Sequence, residues 1–306
     1  MLITHKPKTL IQPYVIAIPS YQRSELIIKK TLNTLFKHNI NPTLITIFLA
    51  NKEEYNTYSK LFQQPEKIIT NLDGKYKKFL NSVSMVIGEK GLKNQRNYIS
   101  NFYLDKQKII QMDDDIEGVK MLVVDKKDEK NRKKWNLINV PNLDKLCKDA
   151  FKMSEKVGAY LWGIYPIANA YFMSPKVSSE LKFIVGPMFG IINRKDGSLK
   201  LSIDEKENVE RTLQYFVKDG AVLRLNNVTV VTKYYSNPGG MQTDKDAKTQ
   251  RMFDAQKSAE YLHKKYPDLT KIFYRKKTNR PEIKLVHSKK TMKKKINNNE
   301  KKNKQQ

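Results

Sequence analysis

The segment from Lys108 to Gly118 constrains the fold of this chain more than any other stretch. It reads Lys-Ile-Ile-Gln-Met-Asp-Asp-Asp-Ile-Glu-Gly, so an apolar run leads into three consecutive carboxylates and stops at a glycine. This pattern predicts a short buried strand whose carboxyl end presents acids to an open crevice, where ligands bind in α/β sheets. Asp113 and Asp115 are two residues apart and share one face of a strand, whereas Asp114 points away.

Two carboxylates on one face suit a single divalent ion. Neighbouring like charges raise one another's pKa, and a hard cation shared between them relieves the repulsion. A solvated turn, or the cap of a following helix, explains three acids after a strand equally well. The surrounding sequence therefore has to decide between these interpretations.

The surrounding sequence predicts a parallel α/β sheet. Apolar strands at 13–19 and 43–50 flank a helix that begins after Ser24, and a weaker strand follows near 85–87. Strands that alternate with helices in this way are typical of parallel sheets. No run of 18 apolar residues is present, and Cys147 is the only cysteine. We therefore expect a soluble, intracellular protein with no membrane-spanning helix and no disulfide.

The net charge indicates a polyanionic partner. Lysine and arginine number 58 against 31 acids, which gives a formal charge of +27. Eight of the lysines lie in 287–306, a basic segment with few apolar residues that is predicted to be disordered, and the rest of the chain is basic as well. Nucleic acid is the commonest soluble polyanion. A lysine-rich composition of the kind that AT-rich genomes encode explains part of the same excess.

A glycine-containing loop before the acidic strand predicts a phosphate site. Gly88 and Gly91 precede a helix that carries Lys93 and Arg96 in its first turns. Backbone N–H groups and two cations would converge on a diphosphate there. A basic helix start is also, more commonly, a solvated face.

A second acidic group lies at the start of a helix that ends at Gly220. Asp204, Glu205 and Glu207 crowd its N-terminus. The positive end of a helix dipole favours acids for stability alone, so the pattern by itself does not establish a catalytic role.

Aromatic residues among small ones suggest a pocket for a sugar or a base. Trp162, Tyr165 and Tyr171 could stack against a sugar or a base, although core packing explains each of them equally well. Arg251 lies on a polar face of a later helix and is a further candidate for this predicted pocket.

Three of these motifs together resemble the nucleotide-sugar glycosyltransferases of the GT-A fold: Ile-Pro-Ser-Tyr-Gln-Arg at 18–23, Gly-x-x-x-Gln-Arg-Asn from Gly91, and Asp-x-Asp at 113–115. The stretch Glu-Asn-x-Glu-x-x-Leu from Glu207, followed by Lys-Asp-Gly and Leu-Arg-Leu-Asn, is similar to the TET/JBP-associated glycosyltransferases. That viral, phage and eukaryotic family is linked to sugar addition on hydroxymethylated pyrimidines in DNA. The resemblance covers roughly 13–269.

The resemblance implies a single GT-A-like, Rossmann-type domain over 1–275, with a mostly parallel sheet flanked by helices. Its nucleotide-sugar-binding half would be 13–120, its acceptor half 121–275, and 276–306 would be the disordered basic tail. The implied activity is that of an inverting hexosyltransferase that uses a UDP-sugar such as UDP-glucose. The implied acceptor is a hydroxymethylated pyrimidine in double-stranded DNA, flipped out onto the aromatic residues. A glycan or protein acceptor, or a non-catalytic DNA-binding module with a degenerate site, remains an alternative.

The resemblance also implies roles for individual residues. Asp113 and Asp115 would hold Mn²⁺ or Mg²⁺ at the diphosphate, with Asp113 also contacting the donor. The residues bordering the nucleotide and its phosphates would be Ser20, Tyr21, Arg23, Lys93 and Arg96.

One departure from the family pattern concerns the catalytic base. Families of this kind commonly end the second acidic motif with Glu-Asp, and the aspartate accepts the proton of the acceptor hydroxyl. Here the pair is Glu207-Asn208, and an amide cannot accept that proton. Glu207, Glu205 or Asp204 would have to act instead, or catalysis would be impaired.

Overall fold

The structure is a computed structural model that describes residues 11–232, 247–275 and 281–286, with side chains in the second range described from 253 onward. The chain separates into two compact units, Met1–Lys245 and Asp246–Gln306. Each unit is described by itself. In the described ranges, no helix has the length and apolar content needed to cross a membrane.

The first half of the larger unit alternates strands and helices. Strand β1 leads into a helical segment that comprises α1, a π-helical turn (Ile28–Leu32) and α2. The elements are β1 (Val15–Ser20), α1 (Ser24–Ile27), α2 (Asn33–Lys37), β2 (Ile45–Leu49), α3 (Lys52–Gln63), α4 (Gly74–Asn81), β3 (Ser84–Ile87), α5 (Leu92–Phe102) and β4 (Lys108–Met112).

The second half of this unit contains shorter strands. Its elements are β5 (Gly118–Val123), β6 (Asn136–Asn139), α6 (Leu143–Lys156), β7 (Leu161–Ile164), β8 (Val177–Ser178), β9 (Met188–Ile192), α7 (Glu207–Asp219), β10 (Leu223–Leu225) and β11 (Val228–Val231). Helix α7 ends at Gly220, whose φ of 74° is the left-handed conformation that glycine adopts without strain. The end of this helix was predicted correctly.

The central sheet has eight strands in the order β3-β2-β1-β4-β9-β7-β10-β8. The pairs β3–β2, β2–β1, β1–β4 and β7–β10 are parallel, whereas β9 runs antiparallel to both β4 and β7, and β8 runs antiparallel to β10. Helices flank this sheet, and β1, β2 and β9 are almost completely buried. The predicted α/β class with a large, mostly parallel central sheet is therefore confirmed.

The register of the central strands places the acidic segment. Ala17 of β1 is opposite Gln111 of β4 in a parallel pair. Because both strands run in the same direction, Ser20 and the three aspartates leave the sheet at the same edge. A three-stranded antiparallel sheet in the order β11-β5-β6 begins immediately beyond these acids, with Val231 opposite Gly118.

In the residues that the structure describes, the smaller unit contains one helix and a strand pair: α8 (Ala247–Lys265), β12 (Thr270–Tyr274) and β13 (Pro281–Leu285). The strands pair antiparallel, with Thr270 opposite Leu285. Ala255, Ala259 and Leu262 are buried. Strand β13 lies within 276–306, so part of the predicted tail is a strand. The division at 275 remains a prediction.

Candidate active site

Asp114 joins the first strand to the acidic segment. Its Oδ2 accepts a hydrogen bond from Ser20 Oγ at 2.6 Å, and its Oδ1 lies 2.9 Å from Arg23 Nη1. Tyr58 supports both partners, because its hydroxyl lies 2.7 Å from Ser20 Oγ and accepts the Arg23 backbone N–H at 3.0 Å. Burial raises the pKa of Asp114 to about 6, although Arg23 and Ser20 oppose the shift. The buried middle carboxylate therefore connects these two segments.

Asp113 and Asp115 lie on either side of that connection. The side chain of Asp113 is 32% exposed, and its Oδ1 lies 3.2 Å from Arg96 Nη2. Asp115 is more buried. Its Oδ1 accepts a hydrogen bond from Thr232 Oγ1 at 2.8 Å, and its Oδ2 lies 3.6 Å from Arg23 Nη1. The structure thus brings the two predicted metal ligands to one sheet edge.

Helix α2 and the turn before it fix the backbone of the acidic segment. Thr31 Oγ1 donates to the carbonyl of Asp113 at 2.8 Å and accepts from the N–H of Ile116 at 2.9 Å. Thr34 Oγ1 donates to the carbonyl of Ile116 at 3.1 Å. These threonines hold the turn through its backbone, so the contacts of the aspartate side chains are separate from those that fix the turn.

Arg96, in the first half of α5, is buried against the same acids. Its Nη1 donates to Gln111 Oε1 at 3.0 Å, and its Nε lies 4.0 Å from Glu207 Oε1. The guanidinium carbon lies 5.1 Å from the centre of the Phe189 ring. Arg96 therefore links the end of β4 to the N-terminus of α7.

The two cations predicted to form a phosphate clamp lie in different surroundings. Lys93 Nζ pairs with Asp204 Oδ2 at 3.3 Å, and the Lys93 backbone N–H donates to Asp204 Oδ1 at the same distance. Asp204 is the more exposed member of this ion pair, since 54% of its side chain is accessible to solvent. Tyr21 lies near the glycine loop, because Lys90 Nζ is 6.0 Å from its ring centre.

The start of α7 carries the remaining predicted catalytic residues. Glu207 is 4% exposed, and burial raises its pKa, with an opposing effect from Arg96. Asn208 is half-buried, and its Oδ1 accepts a hydrogen bond from Arg211 Nη2. Glu205 is half-buried nearby. Among the predicted bases, Glu207 is therefore the one that the structure brings to Arg96.

Arg211 is a member of this site that the sequence did not reveal. It is 4% exposed, and its guanidinium carbon lies 3.5 Å from the centre of the Phe189 ring. Burial, together with the charge of Arg96, lowers its pKa to about 9. In a sequence, an arginine on a helix usually predicts a solvent-exposed side chain. The pairing with Asn208 three positions earlier was the only local signal.

The structure places the predicted acceptor aromatics in different environments. Trp162 is completely buried and packs edge-on against Phe151, with ring centres 5.5 Å apart, so it belongs to the core and offers no surface to an acceptor. Tyr165 is half-buried, with the Arg224 guanidinium 5.3 Å from its ring. Tyr171 is 49% exposed. The side chain of Arg251 lies outside the described residues.

Comparison with known proteins does not assign the chain to a family. No family model matches the chain, and no curated protein sequence matches it. Among solved structures, TarS 1-349 from S. aureus is similar with 12% identity and a TM-score of 0.44, over 83% of this chain and 72% of that one. UDP-glucose pyrophosphorylase complexed with UDP-glucose is similar with 9% identity and a TM-score of 0.42, over 82% and 99%. Structural similarities this weak do not support an argument about activity. The activity is therefore inferred from the residues of the site alone.

Proposed function

We propose that this chain is a glycosyltransferase that moves a hexose from a nucleotide-sugar to a hydroxyl acceptor with the help of a divalent cation. The observation that carries the proposal is the cluster at the carboxyl ends of β1 and β4, where Asp113 and Asp115 lie beside Arg23 and Arg96. Carboxylates suited to a cation and arginines suited to phosphate oxygens are what binding a nucleoside diphosphate requires.

Mn²⁺ or Mg²⁺ fits the residues of this cluster. Mg²⁺ is usually bound through one or two carboxylates, with substrate phosphates and water completing its shell. The side chain of Asp113 is partly exposed, and Asp115 accepts a hydrogen bond from Thr232 that would orient it as a ligand. Within the described ranges, no three His, Cys, Asp or Glu side chains form a group that could hold an ion. When bound, the ion would stabilise negative charge on the departing diphosphate.

The donor would lie between the acidic edge and the glycine loop. Tyr21 and Lys90 face each other there, which suits a nucleobase and its ribose. Ser20 would act by positioning Asp114, and Arg23, which is bound to Asp114 and lies near Asp115, would bring positive charge to the diphosphate. Lys93 would reach the phosphates by exchanging its pair with the exposed Asp204.

Glu207 is the base in this proposal. Its carboxylate would accept the proton of the acceptor hydroxyl while that oxygen forms a bond to the anomeric carbon. The bond from the anomeric carbon to the diphosphate breaks, and the diphosphate leaves with the electron pair. Burial raises the pKa of Glu207, which favours proton transfer near neutral pH. Asn208, held by Arg211, would donate a hydrogen bond rather than accept the proton.

The proposed acceptor is a hydroxymethylated pyrimidine in DNA. The formal charge of +27 supports a polyanionic acceptor, and the resemblance of the α7 region to DNA-directed transferases supports this choice over a glycan or a protein. The charge alone equally supports a DNA-binding module without activity, so activity has to be measured.

The experiment is release of UDP from a panel of UDP-sugars, with DNA containing 5-hydroxymethylcytosine as acceptor, in Mn²⁺, Mg²⁺ or EDTA. We expect release with one donor that depends on the cation and on the modified base, and that is lost in Asp113→Asn. Asp149→Asn, an exposed acid of α6, is the matched control and should retain activity. No release under any cation would refute the transferase. UDP release that does not require DNA would be consistent with a transferase and would contradict only the proposed DNA acceptor.

A further inference from the structure

The loop between β5 and β6 is the most basic exposed segment in the described part of the larger unit. Residues 126–134 contain six lysines and arginines and two acids. All six cations are exposed. Only one of them, Lys134, forms an ion pair within this loop, with Asp128 at 3.0 Å. The segment therefore presents a net positive charge to solvent.

Exposed aromatic rings lie beside this loop. Tyr171 and Phe172, on a short helical turn (Ala170–Phe172), are 49% and 55% exposed, with ring centres 5.2 Å apart. Arg132 ties the two segments together, because its Nη1 donates to the carbonyl of Tyr171 at 3.2 Å. Two large exposed rings side by side form an apolar patch, and such patches mark interaction sites when polar residues surround them.

A third ring belongs to the loop itself. The Arg132 guanidinium lies 5.1 Å from the centre of the Trp135 ring, and Trp135 Nε1 donates to the carbonyl of Asp128 at 3.1 Å. The indole is thereby held in place, and its nitrogen is satisfied within the loop. Arg132 therefore connects the indole of the loop to the turn that carries the two exposed rings.

We propose that this surface, defined by Lys130, Arg132, Lys133, Trp135, Tyr171 and Phe172, binds an unpaired stretch of a nucleic-acid strand. Lysine and arginine would contact the phosphates, and the rings would stack on bases. Bases in a duplex have no free face for such stacking, so the surface selects unpaired nucleotides. A neutral protein face would use the rings without the cations, and binding to anionic vesicles in place of the oligonucleotide would overturn this choice of partner.

The inference rests on the proposed function, because it places the strand that carries the acceptor base. Strand β5 starts beside the acidic segment and ends at this loop, a span of roughly 16 Å at the usual rise of a strand. A strand held on the surface would thus remain connected to a base extruded toward Glu207 and Asp113.

The test is fluorescence anisotropy of the full-length protein with a labelled single-stranded oligonucleotide and with its duplex, over a series of salt concentrations. We expect tighter binding of the single strand. Tyr171→Ala/Phe172→Ala should weaken single-strand binding roughly fivefold or more at every salt concentration, because stacking is lost. Lys130→Glu/Arg132→Glu/Lys133→Glu should reduce the dependence on salt, because phosphate contacts are lost.

The matched control is Lys60→Glu/Lys75→Glu/Lys78→Glu, which makes the same change of charge at exposed lysines of α3 and α4. It should bind nearly as wild type does. Equal loss in the control, wild-type binding by the aromatic variant, or preference for the duplex would overturn the proposed surface. Stabilisation by a UDP-sugar is measured separately in each variant. Failure of the surface with intact donor binding is therefore distinct from failure of the transferase.

Discussion

Nη2 of Arg96 lies 3.2 Å from Oδ1 of Asp113, so a side chain of α5 holds the carboxylate at the end of β4. The same guanidinium approaches Glu207 at the start of α7. Elements that are far apart in sequence thus meet at one buried cation, and the candidate site depends on it.

Arg96→Ala should destabilise the protein by about 3 kcal/mol, because removing this buried cation leaves the buried Glu207 carboxylate beside it uncompensated. The measurement is urea unfolding monitored by circular dichroism. Lys93→Ala, in the same helix, is the control. Its partner Asp204 is exposed, so the change should stay within about 0.5 kcal/mol. Similar losses in both variants would contradict the central position given to Arg96.

Glu207→Gln should lower kcat by about 10² or more with little change in KM, because the group that accepts the acceptor proton is removed. Asp204→Asn and Glu205→Gln should stay close to wild type in the same steady-state assay. Adding Asn208→Asp to Glu207→Gln should not restore activity. If it did, a carboxylate at position 208 could do the work assigned to Glu207, and the geometry at position 207 would not be required.

The pH profile should show the ionisation of Glu207. Burial raises its pKa above the ordinary value of 4.5, so kcat/KM should fall as pH drops through that raised pKa. Stability should change in the opposite sense. A buried carboxylate with a raised pKa loses its proton less readily when folded, so it costs stability as pH rises from about 4.5 through the folded pKa. The advantage of Glu207→Gln in melting temperature should therefore grow as the pH rises above about 4.5, and a difference that is constant with pH would contradict this.

Trp162 and Tyr171 should respond differently to truncation. Trp162→Ala should cost about 3–5 kcal/mol, because it empties a completely buried site. Tyr171→Ala should change the free energy of unfolding by no more than about 0.5 kcal/mol, because the ring is half exposed. Chemical denaturation of both variants measures this. A small loss of unfolding free energy in Trp162→Ala would contradict the assignment of this residue to the core and would again favour its predicted role in binding the acceptor.

Much of the fold could be predicted from the sequence because its signals are local. The apolar runs that became β1, β2 and β4 are bounded by polar loops, and the glycine that ends α7 stands directly after its apolar stripe. The acids after β4 were predicted at a sheet edge for the same reason, since a parallel strand fixes where its carboxyl end lies.

The side-chain partners within the site could not be predicted in this way. Thr232 contacts Asp115 across 117 positions, and Tyr58 reaches Ser20 across 38, so neither pair has a local pattern. Trp162 could have been predicted as core or as acceptor surface, since its strand neighbours fit both. Its packing against Phe151 in the folded chain shows that it belongs to the core.

Binding of the donor tests the central claim most directly. Thermal unfolding of wild type and Asp113→Asn would be followed with a panel of nucleotide-sugars, with and without Mn²⁺. We predict that one donor raises the melting temperature of wild type only when Mn²⁺ is present, and that Asp113→Asn, folded to the same extent, shows no such rise. Stabilisation of both proteins alike, or of neither by any donor, would contradict the assignment of this cluster as a nucleotide-sugar site.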